Sequence, residues 1–201
     1  MEKGDMAGTF KKRALLGLTF CFYDESGFSE KPPIRKTWGK IGRTPIIKST
    51  GSWKSLSVTG IIAVKINLKR PKAYFTVKKG AIRSNDTVQT LAHLLRSVKE
   101  NIALFWDGLP AHRSKIVKEF LSIHKDRFAI VERFPPYAPE LNPQEYIWSA
   151  SKGKDMANFC PSKDNDLIAK TKKSLKRIQK NENVIQGALR KSGLFYVKGD
   201  L

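Results

Sequence analysis

The sequence predicts an α/β protein: a mixed five-stranded sheet flanked by helices, with a basic helical tail at the C-terminus. Three observations lead there. Three β-branched and aromatic runs follow one another, at residues 14–24, 55–66 and 73–79. Helix-like and strand-like segments then alternate, in the order helix, strand, helix, strand, helix. Finally, two apolar runs end in an aspartate, Asp24 and Asp107, and the Pro-rich stretch before the last of these helices leads directly to Glu145.

Residues 1–13 are a polar lead-in. Residues 14–24 (ALLGLTFCFYD) are dense in Leu, Phe and Thr and predict a strand buried on both faces and ending at Asp24. The following segment is rich in Gly and Pro. From Lys31 to Lys48 it carries six basic residues (Lys31, Arg35, Lys36, Lys40, Arg43, Lys48), no acid, and Trp38 in its middle. A nucleic-acid contact and a solvated surface loop account for that pattern about equally well. Segments 55–66 and 73–79, joined by a short turn containing Pro71, predict an antiparallel pair beside the first strand.

Residues 84–100 open with capping residues and place Val88, Leu91, Leu95 and Val98 at helical spacing, with His93 on the flank. A short strand over 101–107, an amphipathic helix over 114–125 and a fifth strand over 127–134 follow. Asn142 then suits an N-cap and Pro143 the first helical position, which puts Glu145 in the first turn. Beyond Pro161 a basic helix carries Leu167, Ile168, Leu175 and Ile178 on one side. A last helix near 182–191 closes the order. Three strands followed by this alternation fit a ribonuclease-H-like core.

The 201 residues suit one domain, or one with a small appendage. A hydrophobic content of 40% is enough for a packed core. Lys and Arg number 38 against 18 acids, a formal charge of +20. So large a surplus favours a polyanionic partner, because each neutralised phosphate releases counterions. Cys21 and Cys160 stand far apart without a partner motif, which argues against a disulfide scaffold or a zinc site. No stretch has the length of a membrane span and no signal-peptide pattern is present. A soluble, intracellular protein is expected.

Each acid has an ordinary explanation as well. Asp24 would end a strand and begin an Asp-Glu-Ser-Gly turn. Asp107 precedes Gly108, a turn dipeptide. Glu145 stands three after Asn142, where a capping-box glutamate reaches back to the N-cap amide. Taken together they suggest more. Two aspartates at strand ends and a glutamate on a first helical turn converge at one sheet edge, and such a cluster repels itself unless a cation binds. Mg²⁺ or Mn²⁺ accepts a few carboxylates and fills its remaining positions with water and phosphate oxygens. Two such ions support phosphodiester cleavage.

The motifs FYDESGF, RKTWGKIGRTPII, WDGLPAHRSK and FPPYAPELNPQEYIWSASK, in this order, resemble the DDE transposases of the Tc-mariner superfamily, in particular its bacterial insertion-sequence branch. The resemblance covers roughly residues 15–160; its Pro-rich motif is specific and its Asp-Glu-Ser-Gly motif weak. It implies a ribonuclease-H-like DDE catalytic domain over 14–160, with a basic helical extension over 161–201. By the same resemblance Asp24, Asp107 and Glu145 form the catalytic, metal-binding triad for two Mg²⁺ or Mn²⁺ ions, with Glu25 beside it. His112 matches a histidine of the family's second motif, in a role of substrate or structural support. Lys152, seven residues after Glu145 and so on the same helix face, is either a DNA contact or an exposed lysine. Arg35, Lys36, Lys40 and Arg43 are the candidate DNA-binding residues of the basic loop.

The resemblance further implies double-stranded DNA (transposon ends and target) as partner, a homodimer in the synaptic complex, and action on nucleoid DNA in a bacterial cytoplasm. Full-length members carry N-terminal helix-turn-helix modules, and none fits ahead of residue 14. The expectation is therefore the catalytic half of a split or frameshifted gene, with its helix-turn-helix part encoded separately, or a remnant. A catalytically silent DNA-binding remnant is the competing reading, and a structural role for the tail in pairing with another chain ranks third.

Overall fold

Alternation within one strand sets the architecture. The computed structural model describes residues 17–31, 33–46, 55–161 and 164–195. The expected lead-in over 1–13, the start of the first strand at 14–16, Lys48 and the last six residues, 196–201, lie outside the described residues. β1 (Thr19–Ser29) sends Phe20 and Phe22 to one face of the sheet and Cys21 and Tyr23 to the other, all four buried. That is the pattern of a central strand covered on both sides.

β2 (Ser55–Lys65) and β3 (Lys72–Lys79) continue the sheet as antiparallel neighbours, and β4 (Ile102–Trp106) and β5 (Phe128–Arg133) as parallel ones. The order is β3-β2-β1-β4-β5, a mixed five-stranded sheet. β4 and β5 pair with a bulge: Ile102 faces Phe128 and Ala103 faces Ile130, so Ala129 is the extra residue.

One expectation needs correction here. β1 does not end at Asp24, and no Asp-Glu-Ser-Gly turn forms. The strand runs on to Ser29, paired with β2 along its whole length from Thr19↔Lys65 to Ser29↔Ser55. Its pairing with β4 stops earlier, at Phe22↔Phe105. The ESGFS segment stays extended because β2 supplies a ladder for its backbone groups. Asp24 thus stands at the edge of the parallel half of the sheet, though mid-strand.

Helices cover both faces. α1 (Ser84–Ser97) and α2 (Lys115–Ile123) pack Leu91, Leu94 and Val117 against Cys21, Tyr23, Ile61 and Leu104. The N-terminus of α1 is held by Asp86, whose carboxylate accepts the Arg83 N–H at 2.7 Å. On the opposite face lie α3 (Pro143–Ala150), α4 (Asp164–Gln179) and α5 (Glu182–Lys191). They bring Ile147, Trp148, Leu175, Ile178, Ile185 and Leu189 onto Phe20, Phe22, Val58 and Phe105. Burying a leucine or isoleucine side chain contributes about 1.5–3 kcal/mol, so these apolar faces hold α4 and α5 to the sheet despite the four lysines of α4.

Candidate functional site

The local structure that places Glu145 follows from three residues. The Asn142 side chain accepts the Gln144 N–H at 3.1 Å, and Pro143 occupies the first helical position. Gln144 is buried and donates through Nε2 to the Phe22 carbonyl at 3.2 Å, tying the start of α3 to β1. The N-cap amide of Asn142 bonds to the Pro139 carbonyl, so it is not the partner of Glu145. Glu145 is exposed and lines a cleft of about 650 Å³ with Asp24, Asp107, Arg113 and Arg133. The structure therefore brings Asp24, Asp107 and Glu145 to one cleft.

Asp24 is buried, 6% exposed, and its Oδ2 accepts the Trp148 indole N–H at 2.8 Å. Trp148 stands one helical turn beyond Glu145, so a single helix supplies both the glutamate and the donor that fixes Asp24. Gly60 lies opposite Asp24 on β2, and a Cβ there would come within 2.6 Å of the Trp148 ring. Only a glycine leaves room for the indole. Burial pushes the Asp24 carboxyl up to about 7 against the opposing hydrogen bond from Trp148, with the charges of Glu145, Glu25 and Asp107 adding to the rise.

Asp107 follows β4 directly and is half-buried. Its Oδ1 accepts the Leu109 N–H at 3.0 Å, a turn of the kind the Asp-Gly pair predicts, and His112 Nδ1 lies 3.0 Å from the same oxygen. Burial raises the Asp107 carboxyl, and those two donors outweigh it, leaving the group below the usual carboxylate range. His112 sits in the 3₁₀ turn Pro110–Arg113 and is buried. Its other nitrogen, Nε2, is 3.1 Å from Glu25 Oε1. Burial works against an imidazolium, yet the hydrogen bonds with Asp107 and Glu25 hold it up to about 9.

Oxygen and nitrogen atoms of Glu25, Asp107 and His112 lie within 4.8 Å of one another, a candidate metal-binding cluster. The carboxylates are the groups of this cluster suited to a hard ion.

The basic candidates divide into two sets. Lys152 is half-buried in a π-helical turn, Ser151–Asp155, that extends α3. Its ammonium donates to Ser26 Oγ at 2.7 Å and lies 5.2 Å from the centre of the Phe28 ring. Burial lowers its pKa, while Glu145 and Asp24 pull it back, as expected for a cation on the carboxylates' face. Arg35 joins it in lining a second cavity, of about 380 Å³, that also includes Lys31, Phe28, Gly153 and Met156. The backbone at Arg35 is clipped by Asn158, whose side chain accepts its N–H at 2.8 Å and donates to its carbonyl at 2.9 Å. Lys36, Lys40 and Arg43 lie further along the exposed, irregular segment 33–46, with Trp38 fully exposed among them.

Sequence reasoning quoted Gln144 and Trp148 within the Pro-rich motif but gave them no role, passed over Gly60, and left Glu25 beside the triad. The Glu-x-x-Trp spacing within that motif was the signal for Trp148, and it reads equally as core packing.

Residues 19–166 match a family model described as DDE superfamily endonuclease. No curated protein sequence matches the chain. Among solved structures, the Mos1 strand transfer complex is similar over 96% of this chain and 56% of that one, at 18% identity and a TM-score of 0.64. The Mos1 mariner paired end complex with Mn matches over 97% and 61%, at 16% identity and a TM-score of 0.63. The catalytic domain of Mos1 mariner transposase matches over 97% and 92%, at 15% identity and a TM-score of 0.58. The chain spans about three fifths of the length of the first two. The fold is ribonuclease-H-like, with the expected five-stranded sheet between helices.

Proposed function

The chain belongs to the DDE superfamily endonuclease family, and from that premise we propose that it is the catalytic domain of a transposase, cutting double-stranded DNA at transposon ends and joining 3′-hydroxyls to target DNA. The observation that carries this reading is the convergence of Asp24, Asp107 and Glu145 on one cleft from β1, the end of β4 and the first turn of α3. The similarity to Mos1 complexes described as strand transfer and paired-end assemblies supports it. In this reading residues 14–160 are the catalytic domain and 161–201 a basic helical extension. The chain acts as a homodimer in synapsis and belongs to the bacterial insertion-sequence branch, working on DNA in the cytoplasm.

The donor set suits Mg²⁺ or Mn²⁺. All three side chains offer hard carboxylate oxygens, and the rise of Asp24 to about 7 records burial and mutual repulsion that a cation would relieve. Asp24, Asp107 and Glu145 would hold two such ions. When bound they supply activation of a water or 3′-hydroxyl and stabilisation of the leaving oxygen. The chain's own contribution is orientation and attraction. Trp148 fixes one oxygen of Asp24, Leu109 N–H fixes one oxygen of Asp107, and His112 holds Asp107 through both that oxygen and the backbone carbonyl. Lys152 places an ammonium beside Asp24 and Glu145, and Arg35, Lys36, Lys40 and Arg43 draw in the phosphate backbone.

Nicking of supercoiled plasmid in Mn²⁺ tests the proposal. Wild type is expected to nick, while Asp107→Asn and Glu145→Gln fall to background with unchanged circular dichroism. Nicking that survives either substitution would sink the assignment.

A further inference from the structure

Consecutive residues of β1 face opposite ways, so Asp24 points to the α3 side of the sheet and Glu25 to the α1–α2 side. Glu25 is therefore not a spare acid of the cleft. Its side chain is 11% exposed, and Oε1 meets His112 Nε2 at 3.1 Å. Oε2 is buried without a hydrogen bond among the described residues, and the Tyr23 hydroxyl lies among Thr59, Thr87 and Glu25. The ring of His112 is locked between two aromatics. It lies flat on Trp106, with centroids 4.4 Å apart and planes 4° from parallel, and edge-on to Tyr23 at 5.1 Å. Trp106 immediately precedes Asp107, so one strand end supplies both the stacking surface and the carboxylate that His112 grips.

This arrangement is costly for stability alone. A buried ion pair is often matched or bettered by apolar residues of the same volume, and this one leaves the second Glu25 oxygen without a hydrogen bond among the described residues. A feature that sacrifices stability next to a cleft of carboxylates points to function. Its geometric effect is specific: Leu109 N–H donates to Asp107 Oδ1, and His112 Nδ1 lies 3.0 Å from that oxygen and 3.3 Å from the Asp107 backbone carbonyl, so it is shared between the side chain and the backbone of the same residue. Oδ2 is the oxygen left for a ligand, with its direction set by a chain that begins at Glu25.

We propose that Glu25 and His112 are positioning residues which act through Asp107: Glu25 anchors the imidazole, the imidazole orients the Asp107 carboxylate, and the metal affinity of the cleft depends on that chain. The inference rests on the reading of Asp107 as a metal-binding carboxylate. It assigns His112 to support from within the fold, with no direct contact to DNA.

The test titrates Mn²⁺ into the full chain, following free Mn²⁺ by electron paramagnetic resonance, and measures kcat and KM for plasmid nicking in parallel. The variants are Glu25→Gln, His112→Phe and the double variant. His112→Phe keeps a ring to stack on Trp106, and the double variant also removes the buried charge that His112→Phe alone would strand. Partners behind a metal ligand typically contribute about 10–100-fold in metal affinity or activity. The double variant is expected to melt no lower than wild type while binding Mn²⁺ at least about tenfold more weakly, with KM for DNA unchanged. Glu25→Gln retains an acceptor for His112 and should lose less than His112→Phe. A folded double variant with wild-type Mn²⁺ affinity overturns the inference, and so does a loss confined to KM for DNA, which would make His112 a substrate contact. If wild type itself neither binds Mn²⁺ nor nicks, the parent reading falls and this one with it. If wild type does both and the variants match it, only the positioning chain falls.

Discussion

Asp24 shows how one residue couples the site to the stability of the fold. It is buried with a single indole donor and neighbouring acids, and its carboxyl rises from 3.8 to about 7. Between those values the folded state holds a proton that the unfolded state has released. Stability therefore falls as pH rises through that window, and the full penalty persists above it. Asp24→Asn removes the charge but keeps an oxygen for Trp148. Without metal at pH 8 the variant should melt several degrees above wild type, and the gap should close as the pH approaches 4. Added Mn²⁺ should stabilise wild type alone. A gap of the same size at every pH would mean that burial of the charge is not its origin.

α3 is the element on which the site depends, because its first two turns carry the N-cap Asn142, the tether Gln144, the candidate ligand Glu145 and the donor Trp148. Its close approach to the sheet depends on β2 having no side chain at Gly60. Gly60→Ala should push the indole away from Asp24. Overpacking of this kind costs about 1–3 kcal/mol, and a hydrogen bond to a charged group contributes about 1.5–3 kcal/mol. The expected result is a lower melting temperature together with loss of nicking, and a change in Trp fluorescence reports the moved ring. Wild-type stability would show that the indole shifts without cost. The π-helical turn beyond α3 is anchored separately, through Ser174 and Arg177 of α4, which both donate to Asp155.

At the scale of the whole molecule, charge is the dominant fact. A formal +20 gives long-range attraction to DNA that salt screens. Replacing Arg35, Lys36, Lys40 and Arg43 together with alanine tests whether the exposed segment 33–46 provides phosphate contacts. Each phosphate contact contributes about 0.9 to the slope of log K against log salt. Fluorescence anisotropy on duplex DNA should show that slope reduced by about 3 to 4. An unchanged slope would return the segment to an ordinary solvated loop.

Much of this was legible in the sequence because it is local. Periodicity gave the five strands and the helices, since a strand or helix face repeats within a few residues. Asn142 and Pro143 marked the start of α3, because capping chemistry acts over three positions. The extent of β1 was not legible: whether ESGFS turns or stays extended depends on β2, some thirty residues away along the chain. The partners of the acids were also hidden. Trp148 reaches Asp24 across 124 positions and His112 reaches Glu25 across 87. The sequence by itself determined which acids are present, the elements that carry them and the charge around them. Only the tertiary structure decided which oxygens of Asp24 and Asp107 meet a donor, because that depends on segments brought together by the packing of helices on the two faces of one sheet.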